Sequence, residues 1–213
     1  GVFVPVAEEI GLMNEIGAWV LHTAIAQIAP LCKEITSEFR LAINLSAGQL
    51  ADDELVEDIE RSAVAAGLTP GHLRFELVES SVMNDVEQAR ALMHRIRNLG
   101  STLAIDDFGT GYSSLAYLSR FPIDELKIDR AFVSNMTKNK EDEEIVRTIV
   151  LLGHSLNLVI VAEGVESAED VTILREMGCD VSQGYFHAKP MPVDELPIEI
   201  TGGIPRLRAA AAK

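Results

Sequence analysis

Thr102-Leu103-Ala104-Ile105-Asp106-Asp107-Phe108-Gly109-Thr110-Gly111-Tyr112-Ser113-Ser114-Leu115 is the stretch on which the fold turns. Its short apolar opening, with a β-branched residue, reads as a buried strand. The strand ends in two adjacent carboxylates, and a Gly-Thr-Gly turn with a Ser pair follows. Charges paired at the mouth of a buried strand are costly unless compensated, and a divalent cation is the usual partner. For a single Asp a cap on the next turn would be the simpler reading. Two together leave metal binding on an equal footing.

Upstream, Ile10, Met13, Ile16, Val20, Ala24 and Ile28 recur at helical spacing, which predicts a helix over Glu8 to Pro30. Leu41 to Ser46 reads as a strand with Asn44 near its end. Ser46 is the expected N-cap of a helix through Leu50, Leu55, Ile59 and Val64, stopped at Gly67. Leu73 to Glu79 alternates with strand period, which sets Glu76 opposite Phe75 and Leu77. Asn84 with Glu87 predicts a capping box for the helix that Gly100 ends.

Downstream come a short helix over Ser114 to Leu118, a strand over Glu125 to Asp129, and a helix from Glu141 to Leu156. Leu158 to Glu166 is the most strand-like run. Ser167 with Asp170 opens a helix that Gly178 closes, and Asp180 to Phe186 reads as a last strand carrying Gln183. Strand and helix alternate throughout, which implies parallel strands under covering helices. The strand repeat is roughly 20 to 36 residues, near the ~30 of an eight-unit barrel. Six strands are legible, against eight in a closed (β/α)8 barrel. An open doubly wound sheet is the alternative, but it gathers its site at one switch point. Here a polar residue recurs at the end of every strand, as a barrel requires.

Those residues are Asn44, Glu76, Asp106, Asp107, Lys127, Glu163 and Gln183. Four carboxylates and a carboxamide oxygen suit Mg²⁺ or Mn²⁺, and the lack of His and Cys among them argues against Zn²⁺. Two such ions are the usual apparatus for attack of water on a phosphodiester. A lysine at the mouth can hold the attacking water. Each residue taken singly has a bland alternative. Asn44 could satisfy strand-end backbone, Lys127 could pair with Asp129, Glu163 and Glu166 could favour a helix dipole, and Gln183 could bridge strands. Their joint placement at equivalent points is what coincidence explains poorly.

Composition narrows the classes. The 213 residues can bury one substantial core, with 47% hydrophobic and 24% charged. Acidic residues outnumber basic ones 33 to 18, a formal charge of −15, which argues against a DNA-binding or anionic-membrane surface. No apolar run approaches the roughly 18 residues a membrane span needs. Two cysteines without a CxxC spacing point to a reducing compartment, hence a cytoplasmic location.

Asn44-Leu45-Ser46, Phe75-Glu76-Leu77-Val78-Glu79, the Asp106 to Leu115 run, Leu126-Lys127-Ile128-Asp129, Val161 to Glu166 and Gln183-Gly184-Tyr185 together strongly resemble the EAL domain family. Phe3 to Leu12 also matches that family's first helix region. The resemblance implies a bacterial signalling phosphodiesterase that linearises cyclic di-GMP to pGpG with two Mg²⁺ or Mn²⁺ ions, on a TIM-like barrel whose first strand is antiparallel. It implies Asn44, Glu76, Asp106 and Asp107 as metal ligands, Asp106 bridging, with Glu163 completing the metal and water network. Lys127 would contact the nucleophilic water and Gln183 would help position it. Glu79 would brace the loop of Gly109, Thr110 and Gly111, which joins the site to a homodimer interface, and Glu166 would support its strand end.

The Glu-Ala-Leu segment that names the family is expected upstream of Phe3, so the barrel should lack two strands and one metal-binding glutamate. Residues 1–200 are expected to form the domain and 201–213 a tail, with sensor or GGDEF domains elsewhere in the parent chain. Two other readings compete: an inactive EAL-type receptor that binds cyclic di-GMP, and an enolase-type lyase or racemase with carboxylates on Mg²⁺ and a lysine base. The intact Asp pair and Gly-Thr-Gly loop weigh against both.

Overall fold

The computed structural model describes residues 3–32, 39–110 and 115–196. Among them are six strands: β1 (Leu41–Leu45), β2 (Leu73–Val78), β3 (Thr102–Phe108), β4 (Glu125–Ile128), β5 (Val159–Ala162) and β6 (Val181–Ser182). The helices are α1 (Phe3–Glu9), α2 (Met13–Cys32), α3 (Leu55–Ala66), α4 (Glu79–Asn84), α5 (Val86–Asn98), α6 (Leu115–Leu118), α7 (Arg130–Val133), α8 (Lys140–Ser155) and α9 (Ala168–Met177). The chain forms two compact units that divide within β3, after Leu103. The expected tail, residues 201–213, lies outside the described residues.

In the first unit β1 and β2 pair in parallel, Ile43 opposite Phe75, Asn44 opposite Glu76 and Leu45 opposite Leu77. Alternation does the sorting: Ile43, Leu45, Phe75 and Leu77 are buried, while Asn44 and Glu76 share the other side. α2 packs against α3, whose apolar stripe Leu55, Val56, Ile59 and Ala63 is buried. Each fully buried Ile, Leu or Phe there contributes about 1.5–3 kcal/mol of transfer free energy. α3 ends as expected at Gly67, in the left-handed conformation at φ +73°.

The second unit holds β3 from Ala104 onward with β4, β5 and β6, each parallel to the next in chain order. A doubly wound sheet would reverse its order, and no reversal occurs within this unit. Lys127 lies opposite Val161, and Ala162 opposite Ser182. Between β3 and β4 the register slips from Ile105↔Leu126 to Phe108↔Ile128, with Asp106 and Asp107 at the irregularity. Both bonds of the expected Ser167–Asp170 capping box form, and Gly178 closes α9 at φ +83°.

Several expected boundaries differ. The single helix over Glu8 to Pro30 is two helices, because Gly11 takes φ +73° and breaks the turn between α1 and α2. Pro30 lies inside α2 without ending it. Ser46 is not the N-cap of that helix: its Oγ accepts the Gln49 N–H at 3.3 Å ahead of a 3₁₀ turn, Gln49–Ala51, whose N-cap is Gly48, and α3 begins only at Leu55. The N-cap of α5 is Asp85, which accepts from Gln88 N–H at 3.0 Å, and Asn84 belongs to α4. Most of Asp180 to Phe186 is loop, and only Val181–Ser182 is strand.

Candidate active site

Three strand ends of the second unit converge on one acidic group. β3 supplies Asp106 and Asp107, β4 supplies Lys127 and the end of β5 supplies Glu163. Donor oxygens of Asp106, Asp107 and Glu163 all lie within 4.8 Å of one another. Adjacent residues on a regular strand point to opposite faces, so two neighbouring aspartates could not both reach such a centre. The bulge resolves this. Asp107 adopts φ +54°, a left-handed conformation that Asp tolerates better than most residues, and the extra residue re-aims its side chain. Asp106 Oδ1 accepts the Asp107 backbone N–H at 3.0 Å, fixing the pair locally.

Lys127 is almost fully buried, and its Nζ lies 3.0 Å from Asp106 Oδ1 and 2.6 Å from Glu163 Oε1. An ammonium between two carboxylates neutralises part of their mutual repulsion. Asp107 is not so served. Burial above all, then the charge of Asp106, a hydrogen bond with Asp129 and the charges of Asp129 and Glu163, push its carboxyl up from 3.8 to about 6. Without a further cation the cluster relieves itself by holding a proton. A hard divalent cation would do the same, so this all-oxygen donor set fits Mg²⁺ or Mn²⁺.

The remaining expected residues are placed as follows. Glu163 N–H bonds to Ile128 O at 3.2 Å, and Gln183 N–H bonds to Ala162 O at 2.8 Å. Gln183 itself is exposed, and its side chain makes no hydrogen bond among the described residues. Glu166 is exposed, and its backbone N–H donates to Asp170 Oδ2 at 3.1 Å. Thr110 Oγ1 donates to Asp107 O at 3.0 Å, and Gly109, at φ +104°, lies against Phe132. Gly111 lies outside the described residues, with Tyr112, Ser113 and Ser114. In the first unit, Asn44 and Glu76 sit side by side as register partners, and Glu79 is buried at the start of α4.

The sequence reading missed Asp129. The alternative that it pairs with Lys127 does not hold, since Lys127 bonds to Asp106 and Glu163 while Asp129 bonds to Asp107 and to Ala131 N–H. Its spacing carried the signal, because a residue two beyond Lys127 shares its strand face.

The EAL domain family model matches residues 1–190 of this chain. The chain belongs to the EAL domain family. It is 41% identical over 196 residues to the bifunctional diguanylate cyclase/cyclic di-GMP phosphodiesterase MucR of Pseudomonas aeruginosa, covering 92% of this chain and 29% of MucR. It is 38% identical to the cyclic di-GMP phosphodiesterase NbdA of the same organism, covering 91% of this chain and 25% of NbdA. This EAL chain thus spans under a third of these relatives' length. A solved c-di-GMP complex of the PaMucR phosphodiesterase superposes with a TM-score of 0.88 at 41% identity, covering 92% of this chain and 79% of that one.

Proposed function

We propose that this EAL chain is the catalytic part of a phosphodiesterase that hydrolyses cyclic di-GMP to pGpG with two Mg²⁺ or Mn²⁺ ions. The observation that carries the reading is the bulge at Asp106–Asp107, which turns adjacent carboxylates into one donor set with Glu163. The relatives named as cyclic di-GMP phosphodiesterases support the substrate. When bound, the ions would supply charge neutralisation at the scissile phosphate and a more acidic attacking water.

Asp106, Asp107 and Glu163 would hold the metal, and Asn44 and Glu76 keep the ligand role that membership of the EAL family implies for them. Asp107 would enter as a carboxylate, giving up a proton to do so only below about pH 6. Lys127, held by Asp106 and Glu163, would hydrogen-bond the attacking water and keep its lone pair toward phosphorus. Gln183 would position that water through its amide. The water oxygen would bond to phosphorus as one P–O ester bond breaks, and the proton lost by the water would end on the leaving ribose oxygen, opening the ring to the linear dinucleotide.

We also propose a homodimer through the Gly109-Thr110-Gly111 loop, since Thr110 is hydrogen-bonded to the backbone of Asp107 and movement there would reach the centre. Glu79 would brace that loop, Glu166 would support its strand end, and the family's Glu-Ala-Leu glutamate would complete the ligands in the full-length protein. Companion GGDEF or sensor domains accord with MucR, whose name joins both activities. No helix among the described residues is long and apolar enough to cross a membrane, and we place the domain in the cytoplasm. The test is turnover by the full-length protein: metal-dependent release of pGpG supports the enzyme, and binding of cyclic di-GMP without turnover establishes the receptor instead.

A further inference from the structure

We infer that Arg130 contacts a phosphodiester of the bound dinucleotide. The inference rests on the phosphodiesterase reading above for the identity of its ligand.

Arg130 opens α7 directly after Asp129, the residue hydrogen-bonded to Asp107. Its side chain starts over the residue that follows Glu163. At Gly164, φ is +72°, and a methyl group there would come within 2.5 Å of Arg130 Cβ and 3.2 Å of its Cα. Glycine is therefore required on two counts, conformation and space, and the close approach anchors the base of Arg130 between the ends of β4 and β5. Val165 N–H bonds to Gln183 O at 3.1 Å, so the same loop is tied to the β6 end as well.

The charges around that point are what need an answer. Asp106, Asp107, Asp129 and Glu163 surround the centre on a chain of net charge −15, and the substrate carries a negative charge on each of two phosphodiesters. Lys127 is buried between two carboxylates, and Lys189 lies over the Tyr185 ring at 5.9 Å. Arg130 is exposed, and its side chain makes no ion pair or hydrogen bond among the described residues despite four carboxylates in this neighbourhood. A guanidinium that stays charged and presents a planar fork matches a phosphate's non-bridging oxygens. The bland reading is a solvated surface arginine, of which Arg175 in the last turn of α9 is an example, at the end of its helix that leads into β6 and away from the strand ends.

The experiment compares wild type, Arg130→Gln, Arg130→Lys and Arg175→Gln in the full-length protein. Cyclic di-GMP dissociation constants are measured in EDTA, and KM and kcat with Mg²⁺. Arg130→Gln should raise Kd and KM about tenfold with kcat within about twofold, Arg130→Lys should fall between it and wild type, and Arg175→Gln should change neither. Kd and KM within twofold of wild type for Arg130→Gln, or an equal rise in Arg175→Gln, overturn the role. Wild type that binds without turnover refutes the phosphodiesterase while the Kd comparison still decides Arg130.

Discussion

Replacing Lys127 with Met removes one charge from the centre and little else. Met keeps most of the buried methylene stem, so the loss is close to purely electrostatic. In wild type the ammonium lies 3.0 Å from Asp106 and 2.6 Å from Glu163, whose side chains are only 12% and 17% exposed. Breaking a buried pair by removing one partner costs about 3–5 kcal/mol, and the slight exposure of both acids puts this case near 3. For a domain of this size about 3 kcal/mol lowers Tm by roughly 6–12 °C. That loss should be read in EDTA at a pH above the Asp107 value of about 6, where Asp107 too is charged.

With saturating Mg²⁺ a second cation takes over the neutralisation, and the loss should shrink by more than half. The variant should also bind Mg²⁺ about tenfold more tightly, a gain of ~1.4 kcal/mol, because the competing ammonium is gone. Turnover should nevertheless fall by about 10²–10⁴. Calorimetric melts in the two buffers and a Mg²⁺ titration measure all of this. Equal destabilisation with and without metal, or weaker Mg²⁺ binding, would refute the idea that Lys127 and the metal serve the same carboxylates.

Three further outcomes follow from the same geometry. Because Asp107 is protonated up to about pH 6, apparent Mg²⁺ affinity should fall about tenfold per pH unit below that value and level off above it. The folded chain also holds this proton more tightly than the unfolded one, so metal-free stability should decline as pH rises from 3.8 toward about 6; Asp107→Asn should abolish both dependences. Gly164→Ala forces a Cβ to 2.5 Å from Arg130 Cβ and should displace Glu163, cutting kcat by about 10–100-fold in a steady-state assay. Ser167→Ala removes one bond of the α9 capping box and should lower Tm by about 2–4 °C, for a cost of about 1 kcal/mol, with kcat unchanged.

What the sequence made legible was set by period and punctuation. Alternation around Phe75 put Glu76 on the right side, Gly67 and Gly178 stopped their helices, and Ser167 with Asp170 announced a box that forms in full. What escaped depended on register and tertiary space. Nothing local says that β3 slips against β4, yet that slip lets Asp107 join Asp106. The break at Gly11 was hidden because apolar residues continue at helical spacing across it. Asp129 looked like a partner for Lys127 until the buried lysine proved committed to Asp106 and Glu163. The short β6 escaped because Gln183 to Phe186 is apolar enough for a strand but is tied to the Val165 loop.

The most direct test of the whole proposal is chromatographic detection of pGpG from cyclic di-GMP incubated with the full-length protein, with and without EDTA, alongside Asp106→Asn. The expected result is pGpG in Mg²⁺ or Mn²⁺, none in EDTA, and a loss of at least about 10² in the variant. Turnover that survives EDTA, or an unaltered rate in Asp106→Asn, would contradict a metal-held carboxylate centre at the bulge.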